Sequence, residues 1–114
     1  MKRWQNLGKN MDYKVILSDL AKRQLDDILF YIYATLGNEV AAARVLEDAE
    51  NTIQKLAQVG GSLKICGEPE LAAYGYRKMH FLSHRYLMLY TINGTNIHVD
   101  RIYHELEDYK NLPD

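Results

Sequence analysis

Near the C-terminus the stretch RIYHELEDYK, residues 101–110, places Arg101 and His104 three positions apart at the end of a strand-like run. These two residue types suit metal-free cleavage of RNA, which needs a ribose hydroxyl deprotonated, a phosphorane charge stabilised and a leaving oxygen protonated. His104, with an ordinary pKa of about 6.5, is the candidate general acid or base. Arg101 is the candidate for holding phosphate charge. Arg77, Lys78 and Arg85 extend the set: between Tyr76 and His104 four basic residues stand against one acid, Asp100, a local excess of three positive charges. That concentration points to an anionic partner, with Tyr103 and Tyr109 able to stack on a base. Each residue also has an ordinary reading. A histidine at a strand end is commonly a hydrogen-bonded structural residue, and an arginine beside Asp100 and near Glu105 fits a surface charge network. His80 and His84 would share a face on a helix, but a strand-turn-strand reading separates them, so no metal site and no other cofactor is expected.

The elements that must position these residues belong to one domain. A chain of 114 residues supports a single modest core. Its 47% hydrophobic and 25% charged residues are the balance of a globular protein rather than a disordered one. No run approaches the roughly 20 apolar residues that span a bilayer, and no signal-peptide stretch opens the chain, so a cytoplasmic protein is expected. With a formal net charge of −1, any surface for nucleic acid must be local. The lone Cys66 has no partner for a disulfide or a zinc site and reads as a small buried or loop residue. Residues 1–10 show no period and read as an N-terminal extension, disordered or foreign to the domain, which spans 11–114.

Along the domain, YKVIL (Tyr13 to Leu17) reads as a short strand and Ser18 as a helix N-cap. Ala21, Leu25, Ile28, Leu29 and Ile32 recur at helical spacing, predicting a helix to about Thr35 with Lys22, Arg23, Asp26 and Asp27 outside. Gly37 and Asn38 supply a stop and a new cap. Ala42, Leu46, Ala49, Ile53 and Leu56 form the stripe of a second helix, making a helical hairpin. After Gly60 and Gly61 a loop, SLKICGEPELAA, carries turn residues without a period. Three strand-like runs follow, YGYRKMHF, RYLMLYTI and NIHVDRIYH, the last two flanking the hairpin signal Asn93-Gly94. Tyr86, Met88 and Tyr90 alternate on one side and read as packing. A two-residue loop there pairs Tyr86 with Arg101, whereas a three-residue loop including Thr95 pairs Leu87 with Arg101. ELEDYKNL closes the chain as a short helix or irregular tail, stopped by Pro113. The order predicts an α+β fold: a small antiparallel sheet with an N-terminal strand and a two-helix hairpin packed on one face.

The helical opening LAKRQLDDILFYI, the pair GYRKM and RYLMLYTINGTNIHV, and the ending RIYHELEDY together resemble the RelE/ParE family of toxins from bacterial type II toxin–antitoxin modules. The resemblance runs from Tyr13 to Tyr109 and holds at Arg101, His104, Asp108 and Tyr109. It departs at Glu105, Leu106 and Glu107, where basic or small residues are usual. It implies a toxin neutralised by a cognate antitoxin whose apolar helix suits the stripe of Ala42, Leu46 and Ala49. Two mechanisms occur in such proteins. RelE-like members cut mRNA on the ribosome, which would make His104 and Arg101 catalytic; ParE-like members bind DNA gyrase without chemistry of their own, and a toxin fold that has lost activity is a third reading. Leu87 stands where the ribonucleases would carry an arginine, the tail after His104 is acidic, and the hairpin from Asp19 to Gln58 is long. The expectation is therefore a ParE-like gyrase inhibitor, with ribosome-dependent mRNA cleavage as the alternative.

Overall fold

The computed structural model describes residues 12–107. Strand β1 (Lys14–Leu17) leads into helix α1 (Asp19–Phe30), whose N-cap Ser18 accepts the Ala21 N–H at 2.9 Å and donates its own hydroxyl to the Asp100 carbonyl at 2.8 Å. One side chain thus starts the helix and ties it to a strand far along the chain. The helix continues as a π turn (Tyr31–Thr35), a widened turn within the expected helix. Ile32 stays in the core there while Tyr31 and Tyr33 stand out in solvent. Gly37, at φ 66°, takes the left-handed conformation that ends the helix, and Asn38 caps the next by accepting the Ala41 N–H at 3.0 Å.

Helix α2 (Glu39–Val59) packs through Ala42, Val45, Ala49, Thr52 and Leu56. The buried face is rotated slightly from the expected stripe, leaving Leu46 exposed and Ile53 half-buried. A 3-10 turn (Gly60–Ser62) and a short helix α3 (Pro69–Ala72) lead to β2 (Arg77–His80), β3 (Tyr86–Asn93) and β4 (Asn96–His104).

The sheet order is β1-β4-β3-β2. β2, β3 and β4 form an antiparallel meander, and β1 joins the outer edge of β4 in parallel. The hairpin register corrects both sequence alternatives. Asn93 pairs with Asn96, so the two-residue loop is Gly94-Thr95, with the left-handed residue, Gly94 at φ 65°, in its first position. A bulge then leaves Asp100 without an opposite residue and pairs Leu89 with Arg101.

Two apolar clusters sandwich the sheet. Met88, Tyr90, Ile97, Val99 and Ile102 meet the helical hairpin, while Leu87, Leu89 and Tyr103 meet Cys66 and Leu71 of the loop that crosses the other face. The expected alternation of Tyr86, Met88 and Tyr90 on the helix side is present. Among the described residues no helix is long and apolar enough to cross a membrane.

Candidate functional site

The pleat of β4 sends Arg101 and His104 to opposite faces. Arg101 pairs with Leu89 on the loop-covered side, and His104 with Tyr86 on the helix-covered side. The two side chains therefore do not converge on one phosphate. His104 sets its ring edge-on to Tyr86, with centroids 5.4 Å apart. Its Nδ1 accepts the Leu106 N–H at 3.2 Å, and its backbone N–H donates to Glu107 Oε1 at 3.0 Å, so it closes the turn that follows the sheet. Tyr103 is only 2% exposed, which removes it as a base-stacking residue; burial pushes its hydroxyl well above the usual tyrosine range. Tyr109 and Asp108 lie outside the described residues, as do residues 1–10.

The other basic candidates are dispersed and partnered. Arg77 lies on the helix side of β2 and donates to the backbone carbonyls of Leu63 and Gly61, the latter at 3.2 Å. Lys78, on the opposite face, meets Glu68 at 3.4 Å. Arg85 donates through Nε and Nη2 to Glu105 Oε1, both at 2.9 Å, and His80 lies 3.8 Å from the other oxygen of the same carboxylate. The positive excess counted from Tyr76 to His104 is thus offset by Glu68 and Glu105, which flank that window in sequence and close on it in space. Leu87, 1% exposed, is packing for the loop-side cluster rather than a surface position.

A second polar assembly was not singled out in the sequence. Asp48 on α2 is 5% exposed, and its two carboxylate oxygens each lie 3.1 Å from the Ser83 N–H. Oδ2 also meets His84 Nδ1 at 2.6 Å. One turn on, the Thr52 hydroxyl donates to the Asp48 carbonyl at 2.7 Å and accepts the Leu82 N–H at 3.1 Å. The available signal was an acid three residues after Val45 and four before Thr52, on the buried side of α2. Among the described residues no three metal-ligating side chains cluster.

The helical hairpin carries an open apolar groove of about 390 Å³ lined by Leu29, Phe30, Tyr33, Ala42, Ala43 and Leu46, with Glu39 the one charged residue of its lining. Phe30 is 66% and Tyr33 55% exposed, large apolar surface in one place. Of the three residues expected to receive an antitoxin, Ala42 and Leu46 line this groove. Ala49 does not: it is fully buried in the core and out of reach of any partner.

Fold and side chains together define a small α+β protein with an open apolar groove on its helical hairpin, whose Arg101 and His104 are held apart. The family model of the ParE toxin of the type II toxin–antitoxin system parDE matches residues 15–109, and the chain belongs to that family. A chain of the solved chromosomal ParDE toxin–antitoxin system from P. aeruginosa has the same fold, with a TM-score of 0.67 at 19% identity over 82% of this chain and 97% of that one. No curated protein sequence matches the chain.

Proposed function

We propose that this type II toxin arrests growth in the cytoplasm by binding DNA gyrase, and that a cognate antitoxin neutralises it by laying an apolar helix in the hairpin groove. The observation that carries the first part is the separation of Arg101 and His104 on opposite faces of β4. General acid–base cleavage requires proton-transfer and charge-stabilising groups around one phosphate. A protein that works by grip alone has no such requirement. The pairing of Lys78 and Arg85 with carboxylates supports the same reading, because neutralised cations add little to phosphate binding.

Purified toxin is expected to inhibit DNA supercoiling by gyrase and to leave mRNA intact on translating ribosomes. Position-specific mRNA cuts that vanish in His104→Ala and Arg101→Ala would instead assign ribosome-dependent cleavage to these residues and overturn the gyrase reading.

The groove supports the antitoxin part. Its lining is apolar and exposed, and helix-in-groove recognition reads such a surface through side chains at helical spacing. The partner expected from an adjacent reading frame is a short acidic protein with a DNA-binding N-terminal half. Leu46→Glu places a charge in the lining of the groove and is expected to weaken that partner's binding about 30-fold or more, the scale of an interface anchor. Titration of the two purified proteins checks this; unchanged affinity removes the groove as the contact.

A further inference from the structure

The connection between β2 and β3, residues 81–85, is held more firmly than joining two antiparallel strands requires, since two residues can do that. Phe81 plugs into the core. The next three residues are then fixed to α2: the Leu82 N–H to Thr52, the Ser83 N–H to both oxygens of Asp48, and the His84 ring to Asp48. The carboxylate that does this is buried, and placing a charge there is costly unless every bond is made. Yet the loop it immobilises displays Leu82 at 53% exposure and borders a cleft of about 300 Å³ lined by Arg44, Glu47, Asn51 and His84.

We infer that this anchored loop and the cleft beside it form the surface with which the toxin grips its target protein, separate from the hairpin groove. The inference rests on the reading that the toxin acts by binding a protein. Three features fix the chemistry of the partner. Leu82 stands on a backbone already held in place, so little ordering entropy is lost when it enters an apolar pocket. His84 Nδ1 is engaged by Asp48 Oδ2 at 2.6 Å, which holds the ring in place and leaves its other nitrogen, Nε2, to meet a polar group of the partner. Arg44 is opposed by Glu47 and Asp48, so the cleft has no positive excess to hold phosphate, and a protein surface fits it where a nucleic acid does not. The partner is therefore a protein face offering an apolar pocket next to a polar group.

Growth arrest on controlled expression, read beside thermal stability and gyrase inhibition of the purified proteins, tests this. Leu82→Glu and His84→Ala are each expected to keep a folded domain and to raise the toxin concentration needed for inhibition at least about tenfold. Tyr74→Ser, which removes an even more exposed apolar side chain elsewhere on the molecule, is expected to stay as potent as the wild type. If Leu82→Glu fails to fold, the milder Leu82→Ser decides. A wild-type toxin that inhibits while folded Leu82 and His84 variants inhibit equally well overturns the docking surface and leaves the gyrase reading standing. A wild-type chain that arrests growth without touching gyrase overturns the gyrase reading alone, and the same variants then decide the surface from growth. A wild-type chain that does neither sinks both.

Discussion

Asp48→Ala is expected to lower the stability of the domain by about 2–3 kcal/mol, the scale of removing a buried acceptor whose donors lose their partners. Ser83 N–H and His84 Nδ1 both depend on this carboxylate, and its removal also leaves a small void between α2 and the loop. The loss stops short of the extreme values for broken buried ion pairs because Ser83 is exposed and His84 half-exposed, so water replaces part of what is lost. For a domain of this size the shift in melting temperature is about 10–20 °C. Asp48→Asn keeps the volume and one accepting oxygen but turns a donor group toward Ser83 or His84, and it should fall between the two. Thermal unfolding followed by circular dichroism measures all three proteins. A melting temperature for Asp48→Ala within about 2 °C of wild type would mean that the loop is not held through this residue.

How much of this assembly the sequence reveals depends on how local each feature is. Ser18 and Asn38 are readable as caps because a cap acts on an amide two or three residues away. The helical hairpin follows from stripes at a fixed period, and one packed side of β3 from the alternation of Tyr86, Met88 and Tyr90; the cover that Cys66 and Leu71 lay over Leu87 and Leu89 on its other side comes from a loop without a period. The expected register departs first at the turn, where Gly94-Thr95 rather than Asn93-Gly94 forms the loop, and again at the bulge at Asp100, which is tied to distant groups: its carbonyl takes the Ser18 hydroxyl and its carboxylate takes the Tyr76 hydroxyl. The parallel seat of β1 against β4 is equally invisible in either strand's own pattern.

Charge counting failed for the same reason. A window from Tyr76 to His104 excludes Glu68 and Glu105, the two carboxylates that meet Lys78 and Arg85. Arg101 and His104 looked like a pair because they are three positions apart, but a spacing of three in a strand is a change of face, whereas on a helix it would have brought them together.

Alkaline solution should expose the energetic cost of burying tyrosines in this sheet. Tyr90 is fully buried and donates its hydroxyl to the Gly60 carbonyl at 2.7 Å; burial pushes its pKa from 10.0 up to about 12. Burial, then the hydrogen bond to Asp100, pushes Tyr76 to about 12 as well. In both cases the folded protein holds the neutral phenol while the unfolded chain ionises first. The stabilising contribution is therefore complete below pH 10 and is lost as pH rises from 10 toward 12. For Tyr90 alone the loss approaches about 3 kcal/mol by the end of that range, two pKa units of differential protonation. Tyr90→Phe separates this effect from general alkaline damage. At neutral pH the variant should be less stable by about 1 kcal/mol, because the Gly60 carbonyl loses its donor in the core. Since phenylalanine does not titrate, its stability should fall less steeply above pH 10. The two curves of urea stability against pH should cross near about pH 11, where the wild-type loss overtakes the neutral-pH advantage. Parallel curves through pH 12 would show that Tyr90 ionises no later in the folded protein than in the unfolded chain.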